Sequence, residues 1–249
     1  MMGTNPSSFK CGNDETDSYY AKGGATSALP VENVNWYHAI AYCNKLSILE
    51  GKELCYSIKD GSGNEIDFDT LTYKGIPVNV NDTRCTQWDA AIWDDTKNGY
   101  RLPCEAEWEY AARGGRLSQS NSGKNLYDYD YSGSNNICEV AWCSGNNNTT
   151  GTCAGDYKNV HGTKPVATKS HNELDLFDMS GNVWEWCWNF WTYNTNEPHD
   201  PGTGTNRILH GGSWNYDESF CRVSIRHNDS PPYHRGFTIG FRVACNSQQ

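Results

Sequence analysis

Apolar positions recur with a helical period in only two stretches of this 249-residue chain. Trp36, Ala39, Ile40, Cys43, Leu46 and Leu49 fall three or four residues apart, which predicts a helix over about 36–50. Asn35 suits its N-cap and Gly51 the position just past its end. A second helix is predicted over about 103–113, with Pro103 in its first turn, Glu105, Glu107 and Glu109 in its N-terminal half, and Gly114-Gly115 as the stop. Elsewhere the pattern shortens to brief strands between long loops. Gly61-Ser62-Gly63-Asn64 reads as a hairpin turn between strands at 55–58 and 66–68. Residues 146–155 read as an exposed loop, and Ile208-Leu209 and Phe241-Arg242-Val243 as strands. No period of repeats runs along the chain, which excludes a solenoid or propeller. The expectation is one α+β domain over 1–249 with two main helices and little regular structure, its loops pinned by aromatic anchors, backbone hydrogen bonds or a metal.

Composition narrows the function. Thirty acidic residues against 20 Lys and Arg give a formal charge of -10. That argues against nucleic acid as a partner and gives no attraction to an anionic membrane. No apolar run is long enough to span a bilayer, so no direct membrane insertion by this chain is expected. No signal-peptide pattern opens it, so an export address, if there is one, lies upstream. The eleven cysteines are an odd number, so at least one is free or paired between molecules. None forms a CxxC pair, which weakens a zinc reading. Most read as small buried hydrophobes, and Cys138, Cys143 and Cys153, in a Gly/Asn-rich stretch, are the best place for a disulfide. The histidines show no metal-ligand spacing, and there is no GxSxG, Walker or HExxH motif.

Four ordered motifs carry a resemblance. They are Gly99-Tyr100-Arg101-Leu102-Pro103 running on to Glu107-Trp108-Glu109-Tyr110-Ala111-Ala112-Arg113-Gly114-Gly115, then Asp178-Met179-Ser180-Gly181-Asn182-Val183-Trp184-Glu185-Trp186, then Gly211-Gly212-Ser213-Trp214, and Gly240-Phe241-Arg242-Val243. With Met2-Gly3-Thr4-Asn5-Pro6-Ser7 and Val34-Asn35-Trp36-Tyr37, they resemble the formylglycine-generating-enzyme (sulfatase-modifying factor) family over almost the whole chain. The resemblance implies a C-type-lectin-like fold. Family members usually carry a strand-rich segment before the Met-Gly-Thr-Asn-Pro stretch, so the chain reads as a truncated or processed form of the family domain.

The resemblance also implies chemistry. The family's oxidase resembles a copper(I) thiolate enzyme with two cysteines five residues apart, just after the Gly-Gly-Ser-aromatic turn. Here the second position is Cys221 and the first is Tyr216. A phenol cannot replace a soft thiolate for Cu(I), so no catalytic residue and no required cofactor are expected. In the family's enzymes the segment matching 178–185 resembles a calcium site, implying Asp178 and Glu185 side chains and Gly181 and Val183 carbonyls as ligands of a structural Ca²⁺. The alternative is that Glu185 accepts backbone N–H bonds while Trp184 and Trp186 simply pack.

The C-terminal span 214–240 is different in kind. A framework of Cys221, Arg222, Arg226, Arg235 and Gly240-Phe241-Arg242 encloses Tyr216, Asp217, Ser219, Phe220, Ile225, His227, Asn228, Asp229, Tyr233, His234, Phe237 and Thr238, which follow neither period. Flat aromatics and short hydrogen-bonding groups in loops are the chemistry of an adaptable binding surface. Of the twelve, Phe220 and Ile225 read as the ones nearest the core. The arrangement resembles the variable proteins of diversity-generating retroelements, in which randomised adenines leave NNC codons that cannot encode Glu, Lys, Gln, Met or Trp. Between Asn215 and Ile239 only Glu218 belongs to that set. An ordinary loop of a family homologue is the competing account. Three functions therefore stand: a non-enzymatic, monomeric recognition protein for an unknown protein or other macromolecule, a metal-dependent thiol-oxidising enzyme, and a structural accessory domain. The resemblance implies a bacterial cell surface, with a lipid anchor on an upstream segment.

Overall fold

A computed structural model describes residues 6–8, 29–115, 129–146, 162–191, 204–228 and 230–246. Helix α1 spans Trp36–Leu49 and is closed by a reciprocal cap. Asn35 Oδ1 accepts the His38 N–H at 2.9 Å, His38 Nδ1 accepts the Asn35 N–H at 3.3 Å, and Gly51 takes φ +67° beyond the other end. Among the described residues three further α-helices follow: α2 at Cys85–Asp89, α3 at Glu105–Ala112 and α4 at Ile137–Val140. α3 begins two residues later than Pro103 suggests, because Cys104 is its N-cap and donates its N–H to Glu107 Oε2 at 2.9 Å.

The strands are short and spread over four small sheets. β1 (Tyr56–Ser57) pairs antiparallel with β2 (Ile92–Trp93), and β3 (Tyr100–Arg101) antiparallel with the last strand, β9 (Ala244–Cys245). β4 (Ala141–Trp142) runs parallel to β5 (Ser180–Gly181). The largest sheet has β6 (Trp184–Phe190) at its centre, antiparallel to β7 (Arg207–His210) and parallel to β8 (Ile239–Gly240). This is the α+β, C-type-lectin-like architecture expected, with α1 and α3 as its two main helices.

Three local expectations change. The turn at 61–64 forms, held by Asp60 N–H to Asn64 O and Ile66 N–H to Ile58 O. Residues 66–68 are not a strand, however: Phe68 turns into the core against Trp88, and β1 takes β2 as its ladder partner. Residues 241–243 link β8 to β9 and are not themselves a strand. Asn146 is buried, accepting the Cys143 N–H and donating to Ala141 O, both at 2.8 Å; residues 147–155 lie outside the described residues.

β6 shows why the sequence does not alternate there. It is covered on both faces, so Trp184, Trp186, Cys187 and Trp188 are all buried. Trp188 stacks on Tyr56 at 5.0 Å and lies 5.2 Å from Trp36. Arg207 on β7 is buried beside them, its guanidinium 3.8 Å from the Trp36 ring centre and 3.5 Å from that of Phe190, with Nη1 donating to Trp188 O at 2.6 Å. Burial lowers its pKa to about 9 and leaves Nε without a hydrogen-bond partner among the described residues, so the aromatic faces and the one carbonyl offset only part of the desolvation.

Candidate functional site

The C-terminal segment leaves the scaffold at β7 and turns at once. Gly211 and Gly212 take φ +95° and +75°, which an L side chain rarely adopts. Trp214 is then anchored by its N–H to Asn182 O at 2.9 Å, and Tyr216 O accepts the Ser144 N–H at 2.9 Å. A single 3₁₀ turn, Glu218–Cys221, follows; Asp217 caps it by accepting the Ser219 N–H at 3.0 Å. Those bonds hold the Asp217 carboxyl below the usual range.

An aromatic nest forms over buried Trp184. Tyr216 meets Trp184 edge-on at 5.5 Å, His227 lies 5.1 Å from it and Phe220 6.5 Å, while Tyr216 and Phe220 touch at 5.4 Å. Phe237 lies 5.8 Å from Trp214. Phe220 and Phe237 remain 41% and 47% exposed despite these contacts. Of the other sequence-derived positions, Asp217, Ser219, Asn228 and His234 are exposed. Asn228 lines an open depression with Trp191, Gly204, Thr205 and Asn206. Tyr216, Ile225 and Tyr233 are half-buried and pack on the main core, and His227 and Thr238 are half-buried, with the Thr238 carbonyl accepting the Trp184 N–H at 2.8 Å. Asp229 lies outside the described residues. The sequence reading of Ile225 as partly core agrees with this placement. Phe220 is the more open, and Tyr216 and Tyr233 take the inward role instead.

Two arginines tie the segment to the scaffold, one at its middle and one just past its end. Arg226 grips Glu105 at the start of α3 through Nε and through Nη2, the latter at 2.8 Å. His210 Nε2 lies 3.2 Å from the same carboxylate. Burial pushes the Glu105 carboxyl up, but the bonds to His210 and Arg226 outweigh it and hold it below the usual range. Arg242 takes both oxygens of Glu185, at 2.5 and 2.7 Å, and donates to Phe177 O. Trp108 links the two clusters: it stacks on His210 at 4.7 Å and donates Nε1 to Glu185 at 2.7 Å. Arg222 and Arg235 are exposed; Arg235 reaches the Tyr73 hydroxyl at 3.0 Å. Glu105, His210 and Trp108 escaped the sequence reading, because a bond between residues more than a hundred positions apart leaves no local signal.

Of the four residues expected to hold a structural Ca²⁺, Asp178, Gly181, Val183 and Glu185, the Glu185 carboxylate accepts bonds from the Arg242 guanidinium and Trp108, while Asp178 Oδ1 is buried with no hydrogen-bond partner among the described residues. Asp178 bonds the Ala167 N–H through Oδ2 at 2.8 Å, and burial raises its carboxyl above the usual range. Tyr216 is packed edge-on against Trp184, and Cys221 is buried in a cluster with Tyr131, Val140 and Cys143. Cys138 is disulfide-bonded, Cys143 is a free thiol, and Cys153 lies outside the described residues.

A family model described as a sulfatase-modifying factor enzyme 1-like domain matches residues 9–247. The chain is 40% identical over 220 residues to the chaperone protein LppX of Paenibacillus barcinonensis, covering 86% of this chain and 64% of that protein. It is 38% identical over 155 residues to the formylglycine-generating enzyme of Streptomyces coelicolor, covering 59% of this chain and 46% of that enzyme. The chain thus spans roughly half to two thirds of the length of the curated relatives it matches. Among solved structures, Treponema denticola variable protein 1 is similar at a TM-score of 0.77 and 38% identity, covering 98% of this chain and 78% of that one.

Proposed function

The chain belongs to the sulfatase-modifying factor enzyme 1-like family, and we propose that it is a non-enzymatic recognition member, presenting a diversified C-terminal surface to a protein or other macromolecular ligand. One observation carries this reading. Tyr216, which by the resemblance takes the place of the family's first thiol, packs edge-on against Trp184, with Phe220 and Phe237 held open nearby. Preorganised aromatics with few rotatable bonds supply contact area at low entropic cost. The similarity to a variable protein of Treponema denticola supports the same role. The thiol-oxidising alternative would need Cys221 presented to substrate by the folded segment, in which Cys221 is buried under the Gly212 turn.

We place the protein at the bacterial cell surface, tethered through a lipid on an upstream segment. Among the described residues no helix is long and apolar enough to cross a membrane.

The test is a display library randomised at Asp217, Ser219, Phe220, Asn228, His234 and Phe237, selected on streptavidin beads. Folded, protease-resistant binders should emerge, with their affinity residing in those positions. Recovery of unfolded clones alone would overturn the reading. So would oxygen uptake by the unmutated protein on a cysteine peptide with copper(I).

A further inference from the structure

Beneath the display segment lie two thiols that neither the fold nor the recognition surface needs as thiols. Cys143 directly follows β4, and Cys221 ends the 3₁₀ turn of the variable segment. Both are fully buried and pack in one small cluster with Tyr131 and Val140. The backbones around them are already tied, Ser144 N–H to Tyr216 O at 2.9 Å and Gly181 N–H to Gly211 O at 2.7 Å. Gly212 leaves the room: a Cβ there would stand 2.6 Å from Cys221 Sγ.

We infer that Cys143 and Cys221 are an oxidisable pair that closes into a disulfide and staples the variable segment to the β4 edge of the scaffold. Closing an S–S bond of about 2.05 Å asks for side-chain rotation within that cluster. The two thiols are chemically unequal. The Cys221 S–H bond to Cys143, helped by the Gly145 and Asn146 N–H groups, overcomes burial and brings the Cys143 thiol down to about 7. The same bond, with burial, pushes Cys221 well up. Cys143 is therefore the nucleophile and Cys221 the resolving thiol.

The oxidant is a low-molecular-weight disulfide, RSSR, which reaches the pair while the segment is unlatched. The Cys143 thiolate attacks one sulfur, the R–S–S–R bond breaks, and RS⁻ leaves and takes a proton. Cys221 then attacks Cys143 Sγ, its proton passing to the second departing RS⁻. Two protein thiols are oxidised and one RSSR becomes two RSH. Five residues upstream Cys138 is already in a disulfide, so a second bridge is chemically consistent with its surroundings. The staple stands whether or not the segment binds a ligand.

The test uses the full, unmutated chain in glutathione buffers from fully reduced to fully oxidised, trapped with N-ethylmaleimide. Oxidation should remove two adducts, yield a peptide joining Cys143 to Cys221, and raise Tm by about 10 °C for a loop of roughly 80 residues. Cys221→Ser should abolish both the peptide and the shift. Full alkylation of both cysteines in every buffer would overturn the pairing, as would a cross-link from Cys143 to any other cysteine. Because the peptide map needs no mutation, a misfolded variant would not obscure the answer.

Discussion

His38 works only as a neutral imidazole. Its Nδ1 accepts the Asn35 N–H that closes the α1 cap, and its ring stacks on Tyr73 at 4.4 Å. Burial, with the nearby Arg235 charge, pushes its pKa from about 6.5 down to about 4. The unfolded chain therefore binds the proton more tightly than the folded one. Stability from this residue is complete above about pH 6.5 and is lost as pH falls toward 4, by about 3 kcal/mol in all. Urea unfolding of the parent and of His38→Gln between pH 7 and 4.5 should show this part of the slope in the parent alone; parallel curves would contradict it. Single residues were legible in the sequence where their partners are close in the chain. Asn35 and Gly51 took the capping positions their types suggest. The Arg242–Glu185 and Arg226–Glu105 pairs were not legible, since each joins distant segments.

Elements hold the site through close backbone approach. Gly181 on β5 takes φ +78°, and a Cβ there would lie 2.3 Å from Trp142 O on β4. Gly181→Ala should therefore part β4 from β5 and cost more than about 2 kcal/mol, read as a lower urea midpoint at unchanged slope. An unaltered midpoint would show that the β4–β5 contact bears no weight. α1 and α3 were legible because a 3.6-residue period survives in a single sequence. The strands were not, because most are two residues long and their partners are remote. Residues 66–68 and 241–243 look like strands by composition. One is drawn into the core by Phe68, and the other carries Arg242 to Glu185. The strand β6 went unread, because its continuous buried run shows no alternation and its partners β7 and β8 are remote.

Across the whole molecule, stiffness and variability occupy different atoms. Stacked tryptophans, the buried Arg207 and the two arginine–glutamate pairs fix the backbone, while Asp217, Ser219, Phe220, Asn228, His234 and Phe237 project from it. Tyr216, Ile225, His227, Tyr233 and Thr238 stand between the two regimes, so the display set is narrower than the sequence pattern alone suggests. The division was visible in outline because framework arginines and glycines punctuate the segment. Its inner boundary needed coordinates. The most direct measurement is the thermal unfolding of a sextuple variant, Asp217→Asn, Ser219→Tyr, Phe220→Ser, Asn228→His, His234→Asn and Phe237→Ser, beside Trp184→Ala. The account predicts one cooperative transition within about 3 °C of the parent for the sextuple chain, and a fall of about 10 °C for the single tryptophan. A sextuple chain that melts as early as Trp184→Ala, or without cooperativity, would contradict it.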